Sequence, residues 1–315
     1  MTIVNAQPQQ VAAIIVAFHP NATALQRLVS VLVSDQIFTI IVDNGGGRAA
    51  LEKCIFAEQL KIIDLGSNQG IGAAINAGIN EAQIAGVTYV ITFDQDSSPS
   101  PGMVGVLVAA FERQIQLGIR VGAVGPQFVD RRQNPALVHP FVRLGVFGSG
   151  HRYCRSDEDL VDVDTLITSG CLTSLAVLRA VGLMDPGYFV DYTDIEWSFR
   201  AKSRGFVLLG VCKAQMTHEL GHGRVRKILG ITLIEYSPIR RYYYARNTIS
   251  VSCLKYMSLR WKIRLIGGLS LRCLTLFWAP RSDEKAVWSE YKMLFRGLRD
   301  GLLGVRGRLK TAPGR

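Results

Sequence analysis

Apolar and polar positions follow one another along the first third of the chain in blocks that predict a doubly wound α/β domain. Short β-branched apolar runs, too short for helices, predict four parallel strands, at residues 11–17, 38–42, 62–65 and 89–93. Apolar residues at helical spacing predict three helices, at residues 23–34, 71–85 and 103–116. This order of elements is typical of a mostly parallel, twisted sheet with helices on both faces.

The rest of the chain has a less regular pattern. Short strands are predicted at 121–124 and 165–168, and helices at 172–181 and 194–203. Beyond about Ile228 the pattern becomes helical and basic. We therefore predict a body over residues 1–223 and a basic helical extension over residues 224–315.

The net charge of +11 is concentrated in that extension. Residues 1–223 hold 16 Lys and Arg against 20 Asp and Glu (16 − 20 = −4), whereas residues 224–315 hold 20 against 5 (20 − 5 = +15). Because no run approaches ~18 uninterrupted apolar residues, a membrane-spanning helix is not expected. A basic amphipathic helix on an anionic membrane fits this composition, and a helix packed on the body or on a partner subunit is the alternative.

Composition excludes several classes of protein. Hydrophobic residues make up 48% and charged residues 19% of the chain, which predicts a buried core rather than disorder. The six cysteines form no C-x-x-C pair, so neither a disulfide framework nor a zinc ribbon is expected. With no signal-peptide pattern at the N-terminus, this cysteine usage favours the reducing cytoplasm.

Polar side chains follow the predicted strands at the point where each strand ends: His19, Asp43, Asn68, Asp94 and Asp96. Ligands of doubly wound sheets bind beyond the carboxyl ends of the strands, so we expect one site there. Asp94 and Asp96 can share a divalent cation, either Mg²⁺ or Mn²⁺, which would also bind diphosphate oxygens. The alternative is a turn whose aspartates cap the following helix.

Two neighbouring segments fit a nucleotide. Asp43 can accept a hydrogen bond from a ring N–H or a ribose hydroxyl, or else stabilise the turn that follows it. Residues 68–78, which include Gly70 and Asn76, place small residues at a helix start, where backbone N–H groups face a ligand. No G-x-G-x-x-G follows the first strand, which argues against a nicotinamide enzyme. No basic glycine-rich loop follows it either, which disfavours a nucleotidyltransferase.

A second acidic cluster holds Asp191, Asp194 and Glu196. Asp194 lies where a helix would begin, so its carboxylate stays ionised and can act as a base toward a hydroxyl. The structural alternative is a capping Asp194 followed by an i, i+4 pair of Glu196 with Arg200. His218 is a possible third metal ligand or diphosphate contact, and the H-E-x-x-H spacing of metalloproteases is absent around it.

In this order, the segments resemble inverting glycosyltransferases of family 2, which have the GT-A fold. Within that family the chain is similar to bacterial rhamnosyltransferases of surface polysaccharide synthesis. The matching segments are VAFHPN (16–21), VDN (42–44), NQGIG (68–72), NAG (76–78), FDQDS (93–97), SG (169–170), FVDYTDIEW (189–197) and HELG (218–221). They span roughly residues 11–247 when RYYYARN (241–247) is included.

The resemblance implies roles for the candidate residues. Asp43 would contact the nucleobase, and Asp96 would bind the metal, with Asp94 assisting through the ribose or the ion. Asp194 would be the base, and His218 would contact metal or diphosphate. The remaining candidates divide into donor contacts (His19, Asn68, Gly70 and Asn76) and acceptor contacts (Trp197 and Asp191). Many relatives carry Glu-Asp where this chain has Thr193-Asp194, so Asp191 and Glu196 remain competitors for the base.

The resemblance also implies a catalytic domain over residues 1–223, with a nucleotide-binding half at about 1–120 and an acceptor half at about 121–223. The donor would be dTDP-L-rhamnose, with a UDP-hexose as the alternative. The acceptor would be a saccharide or a lipid-linked saccharide, met at the inner face of a bacterial cell membrane. A nucleic-acid-binding module is permitted by the basic extension, but it leaves the polar sheet edge unexplained, so no nucleic acid partner is expected.

Overall fold

The computed structural model describes residues 10–52, 60–130, 137–145, 150–155, 158–217, 225–228, 231–234, 237–278 and 284–310. The chain divides into two compact units. The first consists of Met1–Pro186 and Asp194–Glu219, and the second of Gly187–Thr193 and Leu220–Arg315. The sequence did not predict that Gly187–Thr193 groups with the C-terminal part of the chain.

The first unit is built around one large sheet. The described strands of this unit, within that sheet or outside it, are β1 (Val11–Ala17), β2 (Phe38–Asp43), β3 (Leu60–Asp64), β4 (Tyr89–Asp94), β5 (Ser98–Pro99), β6 (Val121–Asp130), β7 (Leu137–Val138), β8 (Phe141–Val142), β9 (His151–Arg152), β10 (Leu160–Val163), β11 (Cys171–Ser174) and β12 (Val207–Thr217). The helices of this part of the chain are α1 (Ala22–Ser34), α2 (Arg48–Leu51), α3 (Ile71–Ile84), α4 (Met103–Gln116), α5 (Leu175–Val181) and α6 (Thr193–Ser203).

The described strands of the large sheet run in the order β10-β12-β6-β11-β4-β1-β2-β3, with β5 on β12 and β7 on β6; β8 and β9 pair separately. β1 to β4 are mutually parallel, as predicted, and Val16 pairs with Asp94 while Ala17 pairs with Asp43. β1 is buried along its whole length, which explains its unbroken apolar sequence. The register brings the carboxyl ends of β1, β2 and β4 to one edge.

Local signals in the sequence account for the first helices. Asn21 caps α1, because its side chain accepts a hydrogen bond from the backbone N–H of Ala24 (3.0 Å). α3 packs so closely on β1 that a Cβ at Gly78 would lie 2.4 Å from the Ile14 side chain. The glycine-containing pattern of α3 therefore serves helix–sheet packing as well as the site.

Two predicted elements are wrong. The predicted helix at 172–181 is instead strand β11 followed by α5, because Ser174 caps the helix by accepting from the N–H of Val177 (3.1 Å). The predicted strand at 165–168 forms only an isolated bridge between Thr165 and Val142. The carbonyl of Thr168 instead accepts hydrogen bonds from Cys171 and the Thr92 hydroxyl, which closes a turn.

In its described residues, the second unit contains a hairpin and three helices: β13 (Val225–Ile228), β14 (Ile231–Ile234), α7 (Pro238–Ser252), α8 (Leu259–Trp278) and α9 (Glu284–Leu302). The hairpin corrects the expectation of purely helical structure beyond Ile228. Ala245, Leu269 and Leu294 bring the three helices together in one core. In the part of the chain that the structure describes, no helix is long and apolar enough to cross a membrane.

One cross-link was not expected from the sequence. Cys154 and Cys212 form a disulfide within the first unit, although they are 58 positions apart. The backbone N–H of Cys212 donates to the carbonyl of Asp159 (2.9 Å), which brings the middle of β12 beside the segment between β9 and β10. Such a meeting of distant residues depends on strand pairing, which cysteine spacing alone does not reveal.

Candidate active site

Side-chain amides join the loops at the carboxyl edge of the sheet. Asn44 Nδ2 donates to Asn68 Oδ1 (3.3 Å), and Asn44 Oδ1 accepts from the backbone N–H of Gln69 (2.8 Å). Asn68 Oδ1 also accepts from the N–H of Gly70 (2.9 Å), whose φ of +90° suits glycine. The loop after β2 and the start of α3 therefore form one connected surface. Asn44, to which the sequence assigned no role, lies buried at its centre.

Asp43 stabilises the turn that follows β2, as the structural alternative predicted. Its Oδ1 accepts from the N–H groups of Gly45 (2.8 Å) and Gly47 (3.1 Å), and its Oδ2 accepts from Gly47 at 3.2 Å. The side chain is only 5% exposed. These contacts keep a buried carboxylate hydrogen-bonded at the edge where a nucleotide is expected. The predicted contact of Asp43 with the nucleobase stays a prediction.

The His19 side chain lies directly beside the turn that follows β2. Its backbone N–H donates to the carbonyl of Gly45 (3.0 Å), and its own φ is +45°. A Cβ at Gly46 would lie 2.2 Å from His19 Nδ1, and Gly46 itself has a φ of +73°. Glycine is therefore required at position 46 both by the backbone and by the imidazole.

Gln95, the middle residue of the Asp94-Gln95-Asp96 turn, fixes the loop after β1. Its Oε1 accepts from the N–H of Phe18 (2.7 Å), and its Nε2 donates to the carbonyl of Phe18 (3.2 Å). These two bonds continue the β1–β4 ladder past its last strand pair, Val16 with Asp94. Sequence reasoning treated Gln95 as a spacer, because its partner lies 77 positions away.

Two buried serines stabilise the backbone of the Asp94-Gln95-Asp96 turn. Ser97 Oγ and Ser169 Oγ lie 2.5 Å apart, and the N–H of Asp94 donates to Ser169 Oγ at 3.4 Å. Gly170 donates its N–H to the carbonyl of Thr92 (2.7 Å) and has a φ of +74°. The Ser169-Gly170 pair that the resemblance included thus acts on the backbone of the Asp94-Gln95-Asp96 turn.

The carboxylates of this turn fit a hard divalent cation. Asp94 and Asp96 are both half-buried at the end of β4, and carboxylate oxygens are preferred ligands of Mg²⁺ and Mn²⁺. Within the described ranges, no group of three His, Cys, Asp or Glu could hold an ion without other ligands. His218, the predicted third ligand, lies outside the described residues. The arrangement fits an ion that completes its coordination with diphosphate and water.

Asn76, a predicted donor contact, has a structural partner. Its Nδ2 donates to the carbonyl of Met184 (2.8 Å), and its Oδ1 accepts from the N–H of Met184 (3.0 Å). A Cβ at Gly72 would lie 3.1 Å from the carbonyl oxygen of Asp185, so the same segment packs against the start of α3. The NQGIGAAINAG segment therefore positions residues 184–185 as well as the loop at its own N-terminus.

Glu196, a competitor for the base, is engaged by an arginine. Arg200 Nε lies 2.8 Å from Glu196 Oε1, and Arg200 Nη2 lies 2.9 Å from Oε2, with the Glu196 side chain 3% exposed. Arg200 also donates to the carbonyls of Val181 and Leu183. The predicted i, i+4 pair is confirmed, and it anchors α6 to the end of α5.

Asp191, the other competitor, belongs to the second unit and is also paired. Arg240 Nη2 lies 2.8 Å from Asp191 Oδ1, and Arg240 Nε lies 3.2 Å from Oδ2. Asp191 has a φ of +58°, and Phe189 and Tyr192 are also left-handed, at +66° and +67°. Three such non-glycine residues in one short segment are costly, so other contacts must stabilise it.

Asp194 lies in the first turn of α6, beside a small cavity. Its Oδ1 accepts from the N–H of Ile195 (2.8 Å). The cavity has a volume of about 20 Å³, enough for about one water molecule, and its lining includes Thr92, Thr168, Cys171, Asp194, Trp197 and Ser198. Burial, with the charge of Asp194 adding to it, raises the pKa of the Cys171 thiol to about 12. The thiol next to this carboxylate is therefore neutral.

Trp197, a predicted acceptor contact, is a core residue that lines this cavity. It is buried, and its indole Nε1 donates to the carbonyl of Gly182 (2.9 Å). Any contact of Trp197 with an acceptor would come from the side of its ring that faces the cavity.

Comparison with known proteins gives one matching family. The model of glycosyl transferase family 2 matches residues 13–170, which include the Asp43 turn, the Asp94-Gln95-Asp96 turn and the Ser169-Gly170 pair. The dTDP-rhamnosyl transferase RfbF of Shigella flexneri is 28% identical over 298 residues, 94% of this chain and 96% of that protein. The N-acetylglucosaminyl-diphospho-decaprenol L-rhamnosyltransferase of Mycobacterium tuberculosis is 26% identical over 227 residues, 64% of this chain and 70% of that protein.

Two solved structures share the fold. GalNAc-T7, solved with UDP, GalNAc and Mn²⁺, aligns with a TM-score of 0.54 and 13% identity over 80% of this chain. This chain spans about half (53%) of that one. S. aureus TarS 1–349, in complex with UDP-GlcNAc, aligns with a TM-score of 0.50 and 14% identity over 94% of this chain and 81% of that one. The mostly parallel sheet with flanking helices is thus of the GT-A type that the sequence resemblance implied.

Proposed function

This chain belongs to glycosyl transferase family 2, and we propose that it transfers L-rhamnose from dTDP-L-rhamnose, with inversion, onto an acceptor of bacterial surface polysaccharide synthesis. The observation that carries the choice of sugar is the match to a dTDP-rhamnosyl transferase along 94% of the chain. A second relative is also an L-rhamnosyltransferase. The acceptor is a saccharide or a lipid-linked saccharide, as the name of that second relative suggests.

The nucleotide would bind across the loops that Asn44 and Asn68 join. Of the two Asp43 oxygens, Oδ1 takes the two shorter hydrogen bonds of the turn, so Oδ2 is better suited to accept one from the base. The His19 imidazole lies against the same turn. A glycine-lined turn supports this role, since it lets a ligand approach the backbone closely.

A divalent cation would be held by Asp96, with Asp94 assisting. The carboxylate oxygens of this turn suit Mg²⁺ or Mn²⁺, and a neighbour of the same fold was solved with Mn²⁺. When bound, the ion supplies positive charge that stabilises the departing diphosphate. The hydrogen bonds of Gln95 and Ser169 fix the backbone that carries the two carboxylates, so the turn is formed before any ion binds.

Asp194 would act as the general base. It accepts the proton of the acceptor hydroxyl while that oxygen forms the bond to the anomeric carbon and the bond to the diphosphate oxygen breaks. Attack from the face opposite the leaving group gives inversion. The bidentate pairing of Glu196 with Arg200 and of Asp191 with Arg240 supports this choice, because it occupies both competing carboxylates.

A donor screen tests the proposal. Transfer and hydrolysis would be measured across dTDP- and UDP-sugars with Mn²⁺, with mass analysis of the products. We expect dTDP-L-rhamnose to give the highest kcat/KM and to release dTDP. A clearly better UDP-hexose would overturn the rhamnose assignment within the same family. Release of pyrophosphate would instead identify a nucleotidyltransferase.

A lipid-linked acceptor would be met at the inner face of the cell membrane. We infer peripheral contact there, because residues 224–315 carry a net charge of +15 (20 − 5) and anionic lipids attract basic surfaces. A nucleic-acid-binding role would require salt-sensitive affinity for oligonucleotides, which a gel-shift titration with the full chain would reveal.

A further inference from the structure

Helix α8 has two apolar faces. On one side, Trp261, Leu265 and Leu269 are buried. On the opposite side, four large apolar side chains are exposed and form what we term the α8 stripe: Leu259, Ile263, Ile266 and Leu274. Steps of four, three and eight positions keep these four on one face of a helix. Packing within the second unit explains the buried face and leaves the α8 stripe in contact with solvent.

Helix α9 also has a buried apolar face and an exposed apolar face, and the side chains on its exposed face are larger. Trp288, Phe295 and Leu302 are 74%, 57% and 76% exposed, and their seven-residue spacing places them on one face, the α9 stripe. Lys292 and Arg299 lie between them on the same face and are also exposed. The side of α9 that contains Leu294 packs into the helical core. The α9 stripe therefore alternates large apolar groups with cations.

The charge on these faces is positive. α8 contains no Asp or Glu, and it exposes Arg260 and Arg264 beside the α8 stripe. α9 contains three carboxylates, of which Glu284 stands at the first position of the helix, four residues before Trp288. Glu290 and Asp300 lie on the side away from the stripe. Glu290 lies 3.4 Å from Arg241 on α7, and buried Asp300 accepts a hydrogen bond from Tyr242 on α7 (2.9 Å).

We propose that the α8 and α9 stripes insert into the headgroup region of an anionic lipid bilayer, with the flanking cations against lipid phosphates. Exposed large apolar side chains at helical spacing, next to basic residues, are characteristic of helices that lie in a membrane interface. A second copy of this chain would bring like charges together, so charge complementarity favours anionic lipid over self-association. The inference rests on the peripheral membrane contact of the proposed function and deepens it by assigning that contact to two helix faces. Because this binding needs neither donor nor acceptor, it can fail while sugar transfer persists.

Vesicle flotation with the full chain tests the proposal in the absence of nucleotide. We expect binding to phosphatidylglycerol-containing vesicles that is about tenfold tighter than binding to phosphatidylcholine vesicles and that weakens in high salt. Trp288→Gln/Phe295→Gln should weaken binding to the anionic vesicles by about tenfold. Arg260→Gln/Lys292→Gln keeps the apolar surface and should reduce mainly the preference for anionic lipid.

The matched control is Ile84→Gln/Leu117→Gln, which removes two exposed apolar side chains of the first unit (79% and 66% exposed) and should bind as the wild type does. Equal losses in control and stripe variants, or no binding of the wild type to anionic vesicles, would overturn the proposal. So would lipid-free sedimentation of the wild type as a dimer that the stripe variants dissociate. Donor hydrolysis in solution, measured on the same proteins, tests the proposed function separately, and the stripe variants should retain it.

Discussion

At the residue scale, the candidate carboxylates lie in different local surroundings. Asp43 accepts three hydrogen bonds from a turn, and Glu196 and Asp191 each face a guanidinium with both oxygens. Asp194 accepts a local hydrogen bond from the next residue and lies at a cavity. A proton acceptor must be able to reach substrate, and the position of Asp194 in the lining of this cavity supports its assignment as the base.

We expect Asp194→Asn to lower kcat for transfer by roughly 10²- to 10⁴-fold, the usual contribution of a general base, with little change in the Kd for donor. Initial rates and calorimetric donor binding would measure the two effects. Asp191→Asn is the matched control three positions earlier and should keep most of the activity. If Asp191→Asn instead removes activity and Asp194→Asn does not, the assignments are reversed.

The cysteine beside Asp194 gives a prediction about reactivity. Because burial raises the pKa of Cys171 to about 12, and also raises the pKa of Cys273, both thiols should react slowly with iodoacetamide at pH 8. Among these three described thiols, exposed Cys253 should react first. Peptide mass mapping over time would measure the order, and Cys171 labelled as fast as Cys253 would contradict it.

The same pKa shift has a consequence for stability. The folded chain holds the Cys171 proton more tightly than the unfolded chain, in which the thiol has its ordinary pKa of 9.0. The stability that the neutral thiol contributes is therefore complete below about pH 9 and decreases as the pH rises from 9 towards 12. Cys171→Ala should show a smaller loss of stability than the wild type over this range, as measured by urea unfolding.

The sequence identified the carboxylates at the sheet edge but not all the residues that position them. Asp43, Asp94 and Asp96 follow apolar runs directly, so the end of each strand marks them. Gln95 is different, because its function consists of two hydrogen bonds to the backbone of a residue 77 positions away. Local spacing carries no information about such a partner.

At the element scale, hydrogen bonds from side chains join the loops of the site at positions where the strands no longer pair through their backbones. We expect Gln95→Ala to release the Phe18 loop, raise the KM for donor about tenfold and leave kcat nearly unchanged, since the reacting groups are untouched. Stability should fall by about 1 kcal/mol, the usual net contribution of such hydrogen bonds. Steady-state kinetics and urea unfolding would measure both effects.

Gln95→Glu is the matched variant, because it keeps the acceptor oxygen and replaces the amide donor with a second oxygen that faces the Phe18 carbonyl. It should be at least as damaging as the alanine variant. Wild-type KM in both variants would show that the donor site does not depend on the Phe18 loop.

The left-handed segment of residues 189–192 is stabilised by side chains from α7. Buried Arg246 donates to the carbonyls of Gly187 (3.1 Å) and Tyr188 (2.8 Å). Asn247 Nδ2 donates to the carbonyls of Tyr188 and Val190 at 2.9 and 2.7 Å. Each carbonyl that is engaged offsets part of the cost of the positive φ angles, which is roughly 1–3 kcal/mol per residue.

We expect Asn247→Ala to destabilise the chain by roughly 2–4 kcal/mol, because it leaves carbonyls of this segment without their donor in a buried setting. Chemical denaturation would measure the change. Ser250→Ala on the same helix is the control, since it removes only a hydroxyl bonded to the preceding turn (3.0 Å to the Arg246 carbonyl). Equal effects of the two substitutions would contradict a special role for Asn247.

Most elements of the first unit were predictable, and the failures have specific causes. The helix at Met103–Gln116 was predicted with its observed limits. The predicted helix at 172–181 failed because Leu172 and Thr173 continue the apolar pattern of the helix that follows. Ser174 caps the helix from within that run, and it was the signal in the sequence that could have marked where the helix begins. A strand and a helix that adjoin without a loop have no polar gap to separate them.

At the scale of the whole molecule, the parallel half of the sheet could be predicted and the antiparallel part could not. Alternating strands and helices dictate that β1 to β4 are parallel. β11 instead inserts antiparallel between β4 and β6, and this pairing joins positions about eighty residues apart (171 − 92 = 79). The division of charge between the two parts of the chain could be predicted from composition alone.

Ligand binding should stabilise the folded chain much more when a cation is present than when it is absent. We expect dTDP at about one hundred times its Kd to add about 2.7 kcal/mol of stability with Mn²⁺ and much less with EDTA. Asp96→Ala should abolish the effect of Mn²⁺ in a thermal shift assay. Asp64→Ala is the matched control, an exposed carboxylate at the end of β3 that accepts from Gly66. Metal-dependent stabilisation that survives in Asp96→Ala would contradict the assignment.

Gly187–Thr193 belongs to the second unit, although the residues on both sides of it in the sequence belong to the first. This arrangement has a consequence for recombination between related genes. A single recombination event near codon 220 would combine this segment from one parent gene with Arg246 and Asn247 from another. Viable hybrids between diverged relatives therefore need either two crossovers or matching residues at both places. Exchange of the C-terminal part alone would separate this segment from the arginine and the asparagine that stabilise it.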